Sequence, residues 1–182
     1  MIYWSSLMMM TALGGLTLMP ATPVAAYEPA VAPWQVVAQT SIFSSTTGRF
    51  TVAFSGEPST SSEMDDIDGT PTEIHEFSWE DGGSTYAVVY ADLPASFLSL
   101  GTDAVLDTLR DEVIEDWELD GLEQLEINVQ LSGYPGRRYR YSSADNTLDL
   151  RLYLVDERAY LLVAQDRDET AVNRFISSFS LL

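Results

Sequence analysis

Four strand-like segments follow one another between residues 125 and 164, and this run constrains the fold more than any other feature of the chain. Three of them alternate apolar and polar residues; in one, every second residue from Leu148 to Leu154 is leucine. Alternation with period two is typical of a strand that has one face in a core. The fourth segment, residues 159–164, is apolar on both faces, as expected for a central strand. Only short turns, among them Gly133-Tyr134-Pro135-Gly136, separate the segments, so the sequence predicts an antiparallel sheet.

The rest of the pattern adds strands and two helices. The further strands are predicted at residues 50–54, 72–79 and 85–92. The last two are joined by a Gly-containing hairpin turn at 81–83. Thr102 can begin a helix whose apolar residues recur every four positions as far as Trp117, and Asp168 can cap a second, C-terminal helix. The polar, acidic stretch 55–69 is expected to be a mobile loop. The predicted fold class is α+β, an antiparallel sheet of about six to seven strands packed by two main helices.

The N-terminal segment is typical of an exported protein. Residues 7–19 are almost wholly apolar, and the first charged side chain is Glu28. The run is shorter than the about 20 residues of a spanning helix, and small residues at 24–26 fit a cleavage site. The predicted organisation is a signal peptide at 1–26, an extended lead-in at 27–47 in which Trp34 can pack on the domain, and a domain at 48–182. The alternative is an uncleaved segment that keeps the protein associated with a membrane.

The charge balance restricts the classes of partner. The net charge is −19, from 28 acidic and nine basic residues, and all nine basic residues are arginine. A field of this sign repels nucleic acid and anionic lipid. We therefore expect no nucleic-acid partner, and no stable membrane span after removal of the signal peptide. The chain has no cysteine, which excludes disulfides and thiol nucleophiles.

The order of these motifs resembles that of a known superfamily. The residues that carry the resemblance are the opening strand Phe50–Pro58, the segment Gly133–Arg137 (Gly-Tyr-Pro-Gly-Arg), the strand Arg158–Val163 and the C-terminal Phe175–Leu182. Over about residues 48–182 the chain is similar to the PsbP-like superfamily, whose founding members are extrinsic subunits of the photosynthetic oxygen-evolving complex. It looks closest to small exported cyanobacterial domains of this type. The resemblance implies a sheet sandwiched by helices and an accessory or assembly role without catalysis.

No catalytic motif accompanies the resemblance. The chain lacks a Gly-x-Ser-x-Gly nucleophile motif and a Gly-rich phosphate loop, and His75 is its one histidine. We therefore expect a non-enzyme: an exported accessory domain that binds a protein or assists assembly in the periplasm or the thylakoid lumen. The alternative is a secreted domain that binds a small molecule or a metal. An acid/base hydrolase is a more remote alternative.

An arginine-rich hairpin is the first candidate site. Four of the nine arginines fall in it: Arg137, Arg138, Arg140 and Arg151. In the register set by the turn at 143–146, Arg138 faces Arg151. Arg140 then faces Asp149 on the same side. Two facing arginines are unfavourable unless an anion lies between them, so the hairpin is a candidate site for a carboxylate or phosphate of a partner. The favoured alternative is pairing with this chain's own abundant acids.

A second, weaker candidate site would hold a metal. Glu73 and His75 share one face of a predicted strand, and Asp66 and Asp68 lie in the acidic stretch before it. A structural zinc site needs four ligands, and an EF-hand alignment on Gly69 puts no acid at its first or last position. We expect no cofactor, with calcium or zinc as the metals to consider. The alternative is a solvent-facing histidine beside a solvated acidic loop.

Overall fold

The computed structural model describes residues 41–116 and 126–182. Its strands are β1 (Ser41–Ser45), β2 (Phe50–Phe54), β3 (Ser59–Ile67), β4 (Thr70–Asp81), β5 (Ser84–Asp92), β6 (Glu126–Leu131), β7 (Tyr134–Ser142), β8 (Thr147–Val155), β9 (Arg158–Asp166) and β10 (Ser180–Leu181). Its helices are α1 (Ala95–Leu98), α2 (Thr102–Asp116) and α3 (Glu169–Ser178). The predicted signal peptide, Trp34 and Trp117 lie outside the described residues.

A seven-stranded antiparallel sheet forms the middle of the domain. Its strand order is β3-β4-β5-β9-β8-β7-β6, so β9 is the central strand, as its apolar sequence predicted. The hairpins β4–β5 and β6–β7 close through two-residue turns at Gly82-Gly83 and Ser132-Gly133, where all four residues have positive φ. Turns of this kind match the right-handed twist of the strands.

Each face of the sheet covers its own hydrophobic core. On one face α2 packs Val105, Leu106 and Leu109 against leucines of β8 and β9. On the other face lie α3 and a second sheet of order β1-β2-β10, whose Phe50 and Phe54 pack on the aromatic side chains of β5 and β9. The helix–sheet–helix sandwich and the α+β class are confirmed.

The acidic stretch 55–69 is not the mobile loop that its composition predicts. Residues 59–67 form β3, an edge strand fully paired with β4. Of its side chains only Ile67 is buried, so there is no apolar alternation to reveal a strand. The Asp68-Gly69 pair, with φ values of 51° and 77°, is a hairpin signal that could have identified it.

Two further details differ from the sequence-based expectations. β2 belongs to the small sheet, where it pairs with β1, a strand that falls within the predicted lead-in. The turn expected at residues 133–136 lies at 132–133 instead, and Gly136 is inside β7. An added Cβ at Gly136 would collide with the carbonyl oxygen of Leu152 and the ring of Tyr153, so this strand position requires glycine for space.

The C-terminal helix follows its sequence signals. The Asp168 carboxylate accepts a hydrogen bond from the backbone N–H of Thr170 at 2.8 Å, as an N-cap should. Val172, Phe175 and Ile176 are buried against the sheet. In the part of the chain that the structure describes, no helix has the length and apolar character needed to cross a membrane.

Candidate binding surfaces

The arginine hairpin has the register that its turn predicted. Ser142 pairs with Thr147, Arg140 with Asp149, and Arg138 with Arg151. Because alternate residues of a strand share a face, these side chains lie together on the α3 side of the sheet. We call Arg138, Arg140 and Arg151 the arginine cluster.

One carboxylate, that of Asp149, lies at the centre of the arginine cluster. Asp149 is 0% exposed. Its Oδ2 accepts from Arg138 Nε at 3.1 Å and Nη2 at 2.7 Å, and its Oδ1 accepts from Arg151 Nε at 3.1 Å. Arg140 Nη1 lies 3.4 Å from Oδ2. The acid between the facing arginines therefore comes from this chain, as the favoured alternative expected.

The cluster keeps a positive surplus after this internal pairing. Arg140 also donates from Nη2 to Glu169 Oε1 at 2.5 Å and from Nη1 to Asn173 Oδ1 at 2.9 Å, both on α3. Among the described residues, three guanidiniums thus face two carboxylates, which leaves a surplus of one positive charge. The arginine side chains remain 21–23% exposed. The result is a positively charged, solvent-accessible patch, held in place by these contacts, on a chain of net charge −19.

The contacts of Arg151 favour its protonated form. Burial is the largest single influence on the pKa of Arg151 and lowers it, but the hydrogen bonds to Asp149 and Tyr153 and their nearby charges together outweigh burial, and the pKa is raised. A guanidinium in this state donates hydrogen bonds and does not exchange protons near neutral pH. The cluster is therefore suited to holding an anion.

Arg137 does not belong to the cluster. Its side chain lies on the opposite face of the sheet, where Nη2 donates to Asp103 Oδ1 of α2 at 2.7 Å and lies 3.9 Å from Asp107. Arg110 pairs with Asp107 and Asp111 on the same helix. These contacts balance part of the negative charge of Asp103, Asp107 and Asp111, which recur every four residues along α2. The candidate anion site therefore consists of three arginines, not four.

The four residues proposed as metal ligands lie in two places, one pair on β4 and the other at the β3–β4 turn. On β4, His75 Nε2 lies 3.6 Å from Glu73 Oε2, and the imidazole stacks on Tyr90 with 4.7 Å between ring centroids. Asp66 instead accepts the backbone N–H of Gly69 at 2.7 Å, and Asp68 lies in that turn. Among the described residues no three His, Cys, Asp or Glu side chains are grouped to hold a metal ion. The metal site remains a prediction without a built ligand set.

His75 borders a cleft that sequence reasoning missed. The cleft has a volume of about 270 Å³ and lies between the β1–β2 turn and strands β4 and β5. Arg158 of β9 lines the cleft. Its Nε and Nη2 donate to the two carboxylate oxygens of Asp92 at 2.5 and 2.7 Å, and its Nη1 donates to the Thr47 carbonyl at 2.7 Å. The guanidinium also lies 4.6 Å from the centre of the Tyr90 ring. Arg158 thus ties the small sheet to the large one.

Comparison with known proteins identifies a solved structure of similar architecture. The chain covers 98% of the solution structure of cyanobacterial PsbP from Synechocystis sp. PCC 6803, which in turn covers 84% of this chain, with a TM-score of 0.50 and 9% sequence identity. The fold is PsbP-like. No model of a protein family matches the chain, and no curated protein matches it. At this identity the likeness establishes the PsbP-like fold alone.

The cleft of this PsbP-like domain supplies a pH-dependent prediction. Hydrogen bonds from Arg158 hold the pKa of Asp92 below its ordinary value of 3.8, against the opposing effect of burial. A lowered folded-state pKa stabilises the fold above pH 3.8, and that contribution disappears as pH falls through the lower folded value. We expect the Asp92→Asn variant to have a lower free energy of unfolding than wild type at pH 7. Near pH 2 the two proteins should have the same free energy of unfolding. Urea unfolding between pH 7 and 2 measures this; a difference that stays constant with pH would contradict it.

Proposed function

We propose that this PsbP-like domain is an exported, non-catalytic accessory protein that docks on a protein partner in the periplasm or the thylakoid lumen through its arginine cluster. One observation carries the proposal: a fixed surplus of positive charge, exposed on the sheet of a chain whose net charge is −19. Guanidiniums held in a defined geometry suit bidentate recognition of carboxylates. An acidic segment of a partner protein is the matching chemistry.

The chemistry of the cluster supports binding more than catalysis. Its donors are guanidiniums, a group that does not release its proton near neutral pH and so does not serve as a general acid or base there. The imidazole of His75 lies on another part of the same face, beside Glu73. The PsbP-like fold is consistent with an accessory role, although a fold by itself does not determine function.

The resemblance to extrinsic subunits of the oxygen-evolving complex makes photosystem II the partner to test first. The purified protein is mixed with membranes that contain photosystem II and, in parallel, with membranes from cells that lack it, and both are sedimented. We expect saturable sedimentation with the first preparation only. Equal sedimentation with both, or with neither, would contradict the photosystem assignment.

A second function, small-molecule binding, is favoured by the cleft beside His75. Its volume of about 270 Å³ is near the lower end of ligand pockets, which begin at about 300 Å³. Arg158 already donates its hydrogen bonds to Asp92 and Thr47. The groups that contact a bound small molecule would therefore be His75 and the hydroxyls of the threonines that line the cleft. Saturable shifts of the His75 ring resonances on titration with low-molecular-weight host extract would support it, and unchanged resonances would exclude it.

A further inference from the structure

The seven-stranded sheet has two edges with opposite chemical character. Among the described residues β3 pairs only with β4, and β6 pairs only with β7. The β3 edge carries Glu63, Asp65 and Asp66, and charged edges are a usual protection against unwanted strand pairing. Residues 127–131 of β6, Ile-Asn-Val-Gln-Leu, carry no charge. Apart from Glu126 at its first position, the β6 edge therefore lacks this protection.

The β6–β7 turn determines which backbone groups of β6 face outward. In a hairpin with a two-residue turn, the flanking residues, here Leu131 and Tyr134, form a hydrogen-bonded pair. Hydrogen-bonded and non-hydrogen-bonded pairs then alternate. The N–H and C=O groups of Asn128 and Gln130 consequently point away from β7. Pro135 opposite Gln130 fits this pattern, because its missing N–H is not needed by β6.

The β6 edge adjoins the arginine cluster. Ile127 lies opposite Arg138 in the register, and Arg138 lies opposite Arg151, so the three side chains form a row on one face. Ile127 is 56% exposed. A strand added beside β6 would lie about 5 Å from it and about 10 Å from β7. A glutamate on that strand can lay its methylenes on Ile127 and extend its carboxylate toward Arg138.

We propose that the β6 edge binds an extended segment of a partner protein, in which acidic and apolar residues alternate, as an eighth strand of the sheet. The outward N–H and C=O groups of Asn128 and Gln130 pair with the added strand, and Arg138, the member of the arginine cluster beside β6, favours acidic side chains on it. Strand addition of this kind takes affinity from main-chain hydrogen bonds and specificity from alternate side chains. The proposal rests on the proposed function and specifies the partner's chemistry.

The test uses a fluorescent peptide of about ten residues that alternates glutamate and valine. It is titrated at about 0.15 M salt, where charges interact over about 8 Å. Asn128→Pro removes an outward N–H while leaving the β6–β7 bonds, and we expect it to weaken binding at least about tenfold. The matched control is Ser62→Pro on β3, whose N–H also points outward and which should leave binding unchanged. A lysine–valine peptide should not bind. Amide exchange at Asn128 and Gln130 should slow at least about tenfold when the acidic peptide is bound.

Several results would overturn this inference. They are no binding of the acidic peptide at about 1 mM, equal binding by wild type and Asn128→Pro, and unchanged exchange at both amides. Association of the purified protein with itself, abolished by Asn128→Pro, would assign the edge to a second copy and also overturn it. If Asn128→Pro leaves binding to the natural partner intact while arginine-cluster variants lose it, this inference fails and the proposed function stands.

Discussion

Asp149→Asn is expected to lower the free energy of unfolding by about 3 kcal/mol, because it removes the one buried carboxylate that separates three guanidiniums. The amide has nearly the same shape but carries no charge, and its NH₂ group cannot accept a hydrogen bond. Arg138, Arg140 and Arg151 would then repel one another, and among the described residues Glu169 would be the one carboxylate still paired with them. Urea unfolding at neutral pH, followed by circular dichroism, measures the change.

The matched control for this substitution is Asp145→Asn. Asp145 lies in the β7–β8 turn and is exposed, so the same chemical change should alter stability by less than about 0.5 kcal/mol. If Asp149→Asn unfolds at the same urea concentration as Asp145→Asn, Asp149 does not hold the cluster together. The proposal that Asp149 holds the arginines of the docking surface in a defined geometry would then be wrong.

Phe50→Ala is expected to destabilise the domain by about 3–5 kcal/mol. Phe50 is fully buried where the two sheets meet, with ring contacts to side chains that include Phe77, Tyr160 and Phe179. Its loss would leave a cavity between the small sheet, the central strands and the residue that ends α3. Because one ring joins these parts, we expect a single, shifted unfolding transition by calorimetry.

Phe43→Ala on β1 is the control for Phe50. Phe43 contacts Phe50 and Phe77 but is only half-buried. Its replacement by alanine should therefore lower the free energy of unfolding by less, about 1–2 kcal/mol. Equal losses for the two variants would show that the small sheet is not fixed through Phe50. Two separate transitions in Phe50→Ala would show that the sheets unfold independently.

Features encoded by local sequence were predictable from the sequence. The leucine alternation located β8, the turn at 143–146 gave the β7–β8 register, and Asp168 marked the start of α3. β3 was missed because its side chains are mostly exposed on both faces, so backbone pairing is its main support and the apolar pattern is absent.

Contacts between distant segments could not be predicted. The register placed Asp149 opposite Arg140, but the reach of Arg138 and Arg151 to the same carboxylate depends on side-chain conformations. Arg158 meets Asp92 across 66 residues of sequence, because β5 pairs with β9. That pairing depends on the order of all seven strands, which no local pattern specifies.

The central claim, that the arginine cluster is the docking surface, is tested most directly by comparing two double variants that change the net charge equally. Arg138→Gln/Arg151→Gln alters the cluster, and Arg49→Gln/Arg167→Gln removes two exposed arginines elsewhere. Arg151→Gln alone, which leaves Arg138 and Arg140 on Asp149, serves if the first variant is too unstable.

The measurement is the affinity of each folded variant for membranes containing photosystem II. Our account predicts at least about a tenfold loss for the cluster variant, and binding close to wild type for the Arg49/Arg167 variant. Equal affinities for the two variants, or equal losses that follow net charge alone, would contradict it.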